Sequence, residues 1–325
     1  MQEFDITLAG EANVDLLLYG LPEELTVERE WIADRMAMTL GGSPAITAHN
    51  LAVMGSRVGY VTPVTRDAFA NLGLQALREA GVDLSRIVSA PTDIHTGISI
   101  LLQHEHSRRT LTYSGATATL TLANINLEYL CSSRHFHLSS YFLQQALRPD
   151  AARLLQYCHD AGLTTSLDTN DDPSGTWSPD VLELLPYVDV FMPNEREACA
   201  LMREPDPETA IRQLAAHTSL LVVKRGHRGA VALRGAERWQ VKGIALDTVD
   251  AVGAGDSFNA GFLHGYVRGW QMESCLELGN LSGAYSTTGL GGTEAFRDRQ
   301  RWQAFAAAHA SGREELVELV TSNSI

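Results

Sequence analysis

Apolar and polar residues along this chain follow two alternating patterns. Short apolar runs are typical of buried strands, and longer segments with apolar residues three or four apart are typical of helices. The short runs predict strands at 6–10, 58–62, 135–139, 164–168, 188–192 and 220–224. The longer segments predict helices at 71–80, 149–161 and 207–217. Strands that alternate with helices imply βαβ crossovers and a parallel sheet with helices on both faces.

The segment 41–55 predicts a further helix with clear ends. Ser43 is a good N-cap residue, and Pro44 suits the first helical position. Gly55 suits the C-terminal stop, where a left-handed backbone is common. This helix therefore begins directly after the glycine pair Gly41 and Gly42.

The segment 96–114 has a pattern of its own. Two runs of strand-forming residues flank a polar turn at 104–109, which predicts a β-hairpin. Because the hairpin lies between helical segments, we expect it to leave the main sheet as a flap. No internal repeat or long linker divides the chain, so residues 1–325 are expected to form a single α/β domain with a small β appendage.

Composition and charge narrow the range of partners. The net charge of −14 leaves no basic surplus to meet phosphates, which argues against a nucleic-acid partner. The chain has no secretory signal and no run of 18 apolar residues, so we expect a cytoplasmic protein without a membrane partner. Four widely separated cysteines are expected to be reduced thiols: Cys131, Cys158, Cys199 and Cys275.

Polar residues cluster where the predicted strands end, and ligands bind at the carboxyl ends of parallel strands. Taken singly, each residue could be a turn or cap residue. Their shared position favours a common site. These residues are Asp168, Asn170, Asn194, Glu197, Lys224 and the loop 253–256.

The loop at 253–256 carries the most specific chemistry. Gly253, Ala254 and Gly255 have almost no side chain, so their N–H groups can converge on an anion at the start of a helix. Asp256 follows directly, and a carboxylate beside a phosphate site suits a residue that accepts a proton from an attacking hydroxyl. The alternative is a tight turn with Asp256 as a first-turn acid.

Five motifs in order resemble the ribokinase-like family of carbohydrate kinases, the PfkB family. The run 250–262, Asp-Ala-Val-Gly-Ala-Gly-Asp-Ser-Phe-Asn-Ala-Gly-Phe, is similar to the C-terminal motif of this family. The others are 41–55, 166–170, 194–197 and 224–229. The resemblance covers roughly residues 6–295 and implies a three-layer αβα ribokinase-like fold with a mostly parallel central sheet and a small β-sheet lid.

What the resemblance implies is ATP-dependent phosphorylation of a hydroxyl of a sugar or a similar substrate. Asp256 would be the catalytic base, and the loop Gly253, Ala254 and Gly255 would be the anion hole. Mg²⁺ would accompany ATP, with Glu197 acting on it through water. The nucleotide would contact Asn194, Lys224, Gly226, Gly229, Gly253, Gly255, Asn280 and Gly283.

The same resemblance implies a sugar site and a monovalent-cation site. The sugar would contact Asn13, Asp15, Gly41, Gly42, Asn170 and Asp256. K⁺ would be held near Asp250, Ser286, Gly289 and Gly291, although Ala251 and Val252 replace the usual Thr-Thr of the family. Ile46 replaces the Asn that binds sugar in many members, which implies a different hydroxyl pattern or an apolar contact.

The lid would comprise about 12–39 and 93–118, and pairing of lids between subunits would give a homodimer.

The substrate stays open among fructose, a keto-deoxy sugar acid, a nucleoside and an inositol. Arg108 and Arg109 on the flap favour an anionic sugar. The alternatives are a nucleoside kinase of the same fold and a catalytically inactive sugar-binding protein. A nicotinamide dehydrogenase is disfavoured because the first strand lacks Gly-x-Gly-x-x-Gly, and a Walker loop is absent.

Overall fold

A computed structural model of the protein describes residues 2–105, 107–309 and 315–316. The strands, numbered in chain order, are β1 (Phe4–Ala9), β2 (Asn13–Leu21), β3 (Arg35–Gly41), β4 (Val58–Val61), β5 (Pro63–Val64), β6 (Val88–Ser89), β7 (Ile98–His104), β8 (Arg108–Tyr113), β9 (Ser133–Leu138), β10 (Thr164–Leu167), β11 (Val190–Phe191), β12 (Leu220–Lys224), β13 (Ala230–Arg234) and β14 (Glu237–Val241). The helices are α1 (Ser43–Val53), α2 (Ala68–Ala80), α3 (Leu127–Leu130), α4 (Ala151–Asp160), α5 (Asp180–Leu184), α6 (Glu195–Met202), α7 (Pro207–Ala215), α8 (Ala254–Tyr266), α9 (Met272–Ser286) and α10 (Arg299–His309).

The central sheet has eight strands in the order β14-β13-β12-β11-β10-β9-β1-β4. The six strands from β12 to β4 in that order run parallel, and β13 and β14 continue the sheet antiparallel. All six strands that the sequence predicts are present in this sheet. The parallel order brings the carboxyl ends of β10, β11 and β12 to one edge, next to the start of α8.

Side chains of the central strands are buried on both faces of the sheet, which makes the fold three-layered. In β12, Leu220 and Val222 belong to the buried cluster that includes α8 and α9, whereas Leu221 and Val223 belong to a second buried cluster that includes α4 and α7. This two-sided burial explains the continuous apolar runs in the sequence. The predicted α/β class and three-layer architecture are therefore confirmed. No helix among the described residues is long and apolar enough to cross a membrane.

A second, smaller sheet corresponds to the predicted lid and has the order β3-β2-β7-β8. Strands β7 and β8 pair antiparallel as the predicted hairpin, and β2 pairs parallel to β7. The strands lie within the ranges expected for the lid, except that β3 continues to Gly41. We use "lid" below for these four strands.

The N-cap prediction for α1 is wrong. Gly42 is the N-cap, with φ of 91°, and Ser43 is already the first helical residue. The Ser43 hydroxyl cannot cap the helix because it donates instead to the carboxylate of Asp256 across the site. The predicted stop is correct: the helix ends at Val53, and Gly55 follows with φ of 92°.

Candidate active site

Asp256 lies in the first turn of α8, whose N-cap is Gly253. Its side chain is 8% exposed, and its Oδ1 accepts hydrogen bonds from Ser43 Oγ and, at 3.4 Å, from Asn170 Nδ2. Burial raises the pKa of Asp256, the Asp168 carboxylate raises it further, and the hydrogen bond from Ser43 opposes the shift. A carboxylate in this setting is more basic than one in water, as a general base near neutral pH requires.

The position of Asn170 depends on left-handed backbone at two residues that follow neighbouring strands. Asn170 has φ of 55° and Ser140 has φ of 54°, and both lie just beyond strand ends. The Ser140 N–H donates to Asn170 Oδ1 at 2.9 Å, which directs the amide nitrogen toward Asp256. Such left-handed non-glycine residues cluster at functional sites, because the surrounding structure must hold them there.

Lys224, at the end of β12, reaches the loop 253–256, which we call the anion loop after its predicted role. Its Nζ donates to Asp168 Oδ2 and, at 3.4 Å, to Asn259 Oδ1. The same ammonium lies 3.7 Å from the position that a Cβ on Gly255 would take. Burial alone would lower the pKa of Lys224, but the carboxylates of Asp168 and Glu197 raise it, so the ammonium stays charged.

Asn194 and Glu197 form a capping box at the start of α6. Asn194 Oδ1 accepts from the Glu197 N–H at 2.9 Å, and Glu197 Oε2 accepts from the Asn194 N–H at 2.8 Å. Burial and the Asp168 carboxylate raise the pKa of Glu197 to about 7, while Lys224 opposes the shift. Asn194 and Glu197 therefore do cap α6, as residues of these types can. The capping box holds the Glu197 carboxylate at the edge of the site.

The small-residue loop before α8 differs in one detail from the expected anion hole. The Ala254 N–H donates to the Ala251 carbonyl at 3.3 Å, which closes a turn. Within the described residues, the N–H groups of Gly253 and Gly255 have no backbone acceptor. Gly253 and Gly255 are thus better placed than Ala254 to bind an anion at this helix N-terminus.

A cavity of about 490 Å³ adjoins this loop. It is lined by six of the predicted nucleotide residues: Lys224, Gly226, Gly229, Gly255, Asn280 and Gly283. The rest of the lining is mostly apolar, with Ile244, Leu246 and Phe258 among it. Asn194 and Gly253 do not line it. A largely apolar cleft that ends at a lysine and free N–H groups suits a flat base with a phosphate chain.

The predicted sugar residues Asn13, Asp15 and Gly41 lie on strands of the lid, and Gly42 follows directly at the start of α1. Asp15 and Thr39 face each other across β2 and β3, and Asn13 Oδ1 accepts from Thr117 Oγ1 at 2.8 Å. Burial, then the Asp256 carboxylate, raise the pKa of Asp15 to about 7. A Cβ on Gly41 would lie 2.1 Å from Asp15 Oδ1, so only glycine leaves room for that carboxylate. Gly42, as the N-cap of α1, adjoins Glu11 and Asn13.

Ile46 makes an apolar contact, but with the protein itself. It is buried on α1, and its Cδ1 would lie 2.7 Å from a Cβ on Gly292 and 3.3 Å from one on Gly253. The isoleucine therefore packs directly beneath the glycine loop. Ile46 therefore supports the loop in which the anion hole is predicted.

The residues expected to hold K⁺ are engaged in other contacts. Asp250 accepts hydrogen bonds on both oxygens, including one from the Gly291 N–H at 3.0 Å. The Ser286 hydroxyl donates to the Gly283 carbonyl of its own helix at 2.8 Å, and the Gly289 N–H donates to the Ser286 carbonyl at 3.2 Å.

Comparison with known proteins assigns the chain to a family. Residues 4–299 match the family model described as pfkB family carbohydrate kinase. The chain belongs to the pfkB family of carbohydrate kinases. It is 28% identical over 281 residues to the 2-dehydro-3-deoxygluconokinase of Bacillus subtilis, which covers 83% of this chain and 87% of that protein. The predicted family and kinase class are confirmed.

Solved structures agree with the pfkB assignment. The adenosine kinase of Sinorhizobium meliloti superposes with a TM-score of 0.81 at 26% identity, covering 95% of this chain and all of the other. A putative ribokinase II of E. coli in complex with ATP and Mg²⁺ superposes with a TM-score of 0.81 at 22% identity, covering 94% and 100%. The predicted ribokinase-like fold is therefore confirmed.

Two buried residues beside the predicted site, Asn259 and Glu11, were not predicted from the sequence, and Asp168 was predicted at a strand end without a role. Asp168 accepts from Lys224 and Asn259, so it holds the lysine at the anion loop. Asn259 lies three residues after Asp256 on the same face of α8, a spacing that could have revealed it. Glu11, directly before the strand that carries Asn13 and Asp15, is bonded to Gln144 and adds a third acid beside the sugar residues.

Proposed function

We propose that the protein transfers the γ-phosphoryl group of ATP to a hydroxyl of a sugar acid, with Asp256 as the general base. The observation that carries this proposal is the buried Asp256, held by Ser43 and Asn170, in the first turn of the helix whose residues Ala254 and Gly255 line the cavity. An alcohol is a weak nucleophile, and a carboxylate within reach can take its proton as the new P–O bond forms.

The residues around the cavity fit ATP. The N–H groups of Gly253 and Gly255 would bind oxygens of the transferred group, and the Lys224 ammonium would neutralise charge that develops on them. Asp168 keeps that ammonium in place. When bound with ATP, Mg²⁺ would offset the negative charge of the phosphates, and it keeps much of its water shell. Glu197 would then act on it through water, since both Glu197 oxygens already accept bonds from Asn194.

A sugar acid is favoured as substrate for two reasons. The similar Bacillus subtilis protein is named a 2-dehydro-3-deoxygluconokinase, and a gluconate carries a carboxylate. In addition, Arg108 on β8 pairs with Gln103 across the hairpin, so both project from the same face of the lid. The positive charge of Arg108 counteracts the rise in the Asp15 pKa, which puts that charge close to the sugar site.

A nucleoside kinase is the second candidate, because the adenosine kinase of Sinorhizobium meliloti is 26% identical with a TM-score of 0.81. An inactive sugar-binding protein is disfavoured, since Lys224 lines the cavity and the carboxylates of Asp256 and Glu197 lie close enough to raise its pKa. In an assay of ADP release, a nucleoside kinase would prefer a nucleoside and an inactive protein would release no ADP.

We also propose that the protein is a cytoplasmic homodimer formed through the lid. The outer lid face exposes Met36, Met38 and Leu111, which are 61%, 39% and 58% exposed. An apolar face of this kind on a sheet is typical of an interaction surface. The four cysteines are free thiols, which supports a reducing compartment. Light scattering of Leu111→Glu against wild type tests the dimer: a shift to monomer supports it, and a monomeric wild type contradicts it.

The substrate proposal is tested by ADP release over 2-dehydro-3-deoxygluconate, fructose, ribose, adenosine and cytidine. We expect the sugar acid to give the highest kcat/KM. Arg108→Gln should raise KM for the acid about tenfold while leaving KM for a neutral sugar unchanged, because it removes one partner of a charge pair. Arg109→Gln, on the opposite face of β8, is the matched control. A preference for adenosine or cytidine would favour the nucleoside kinase, and equal effects on acid and neutral sugars would contradict the role of Arg108.

A further inference from the structure

Asp250, which precedes the anion loop, is surrounded by hydrogen-bond donors. Two come from the lid: Tyr19 O–H donates to Oδ2 at 3.0 Å and Gln103 Nε2 to Oδ1 at 3.4 Å. Two come from the backbone: the Val252 N–H donates to Oδ1 at 3.0 Å and the Gly291 N–H to Oδ2 at 3.0 Å. Each carboxylate oxygen thus accepts one bond from the lid and one from the main body of the protein.

The neighbouring Val252 joins the lid through apolar contact. It is buried in a small hydrophobic cluster with Leu17 of β2 and Leu101 of β7, and Tyr19 and Ala37 pack against that cluster. The cluster is separate from the two cores of the central sheet. Its members are one residue of the loop and four residues of the lid, so the cluster packs these two parts together.

A third contact joins the same two regions. Gly291 has φ of 65°, and a Cβ at this position would lie 2.5 Å from Thr39 Oγ1 on β3. The backbone of residue 291 therefore packs directly against the lid strand while its N–H donates to Asp250. Strands β2, β3 and β7 of the lid therefore each contact Asp250, Val252 or Gly291.

These contacts do not fit a monovalent-cation site at Asp250. A hard cation is bound by oxygens with free lone pairs. Here four N–H or O–H groups point at the carboxylate, and the partial positive charges of such donors repel a cation. Val252 offers an apolar side chain to the lid where the usual threonine of the resembling family would offer a hydroxyl.

We propose that Tyr19 and Gln103 are positioning residues that attach the closed lid to Asp250 and so set the geometry of the anion loop, in place of a bound monovalent cation. We call Tyr19, Gln103, Asp250 and Val252 the lid latch. This inference rests on the proposed kinase function. Asp250 is only three residues from Gly253, so movement of the latch moves the N–H groups that bind the transferred phosphoryl group.

The latch makes catalysis depend on lid closure. When the lid opens, Asp250 loses two of its four donors and Val252 loses its apolar neighbours, so the loop relaxes. The anion hole is then complete only when the substrate is enclosed, which limits loss of the phosphoryl group to water. ATP binding in the cavity, which the lid strands do not line, is unaffected.

The test variant is Tyr19→Phe, which removes one donor and keeps the ring. The matched control is Tyr113→Phe on β8, a half-exposed tyrosine of the same sheet. We expect Tyr19→Phe to lower kcat about tenfold with KM for ATP unchanged, since one hydrogen bond to a charge is lost. In hydrogen exchange, amides at 13–21 and 248–256 should exchange faster together. Unchanged kcat, or faster exchange in the lid alone, would overturn the latch.

Cation dependence gives a second readout. Activity and melting temperature of the wild type should be equal in KCl, NaCl and choline chloride at one ionic strength. A rise in either that is specific to K⁺ would contradict the proposal. If no sugar is phosphorylated in any salt, the proposed function fails, while the exchange and melting experiments still decide the latch.

Discussion

Glu11 provides a test of the electrostatics under the lid, because it is a buried acid with a strongly shifted proton affinity. Its side chain is 1% exposed, and its Oε2 accepts from Gln144 Nε2 at 2.5 Å. Burial raises the pKa of Glu11 to about 8 from its ordinary value of 4.5, and the Asp256 carboxylate adds to the rise while Ser140 opposes it. The folded protein therefore holds a proton here that the unfolded chain has released.

The sign of the effect on stability follows from that difference. Between about pH 4.5 and 8 the folded state binds more protons than the unfolded state, so stability is full below pH 4.5 and falls as pH rises toward 8. One proton contributes up to about 1.4 kcal/mol per pH unit. From pH 5 to pH 8 the loss attributable to Glu11 is thus roughly 4 kcal/mol.

Glu11→Gln should remove this loss, because glutamine resembles the protonated acid and can still accept from Gln144. The assay is urea unfolding of variant and wild type at pH 5, 6, 7 and 8. We expect the variant to gain stability over wild type as pH rises, while other titrating acids such as Asp15 largely cancel in the difference. The control is Glu79→Gln, which also removes an acid bonded to a glutamine but an exposed one. Parallel curves for Glu11→Gln and wild type would refute the reasoning.

Further variants test individual contacts of the site. Ser43→Ala removes a donor to Asp256 and should lower kcat/KM about tenfold or more in initial-rate assays; an unchanged rate would show that Ser43 is not needed to orient the base. Lys224→Met leaves the Asp168 carboxylate buried without its partner and should cost roughly 3–5 kcal/mol in urea unfolding. Asp168→Asn in the same chain should recover part of that cost, and no recovery would contradict the pairing. Gly283→Leu places a side chain in the nucleotide cavity and should raise KM for ATP by about tenfold or more, and an unchanged KM would place ATP elsewhere.

Much of the fold could be predicted because its signals are local. The runs at 58–62 and 220–224 are apolar at every position that the sheet buries, and the flap pattern at 96–114 needs only a turn between two strand-forming runs. The loop 253–256 can be recognised from the small size of Gly253, Ala254 and Gly255. Such features depend on the order of residues along the chain and not on distant neighbours.

The rest depends on pairs that are far apart in the sequence. Ser43 is a favourable N-cap by residue type, yet its hydroxyl donates to Asp256, 213 positions away. Asp168 and Lys224 meet only because β10 and β12 end at the same edge of the sheet. Val252 stands where the family usually has a threonine, and the sequence does not show what it contacts. Its apolar partners Leu17 and Leu101 come from separate strands of the lid. Local patterns carry no information on such partners.

The central claim is that Asp256 takes the proton from the substrate hydroxyl. Asp256→Asn keeps the size of the side chain and an oxygen that can accept hydrogen bonds from Ser43 and Asn170. The substitution removes the basicity of the side chain. Measured by ADP release with the best sugar acid, turnover should fall about 10²- to 10⁴-fold, while ATP still raises the melting temperature as in the wild type. Near-wild-type turnover with intact ATP binding would contradict the account.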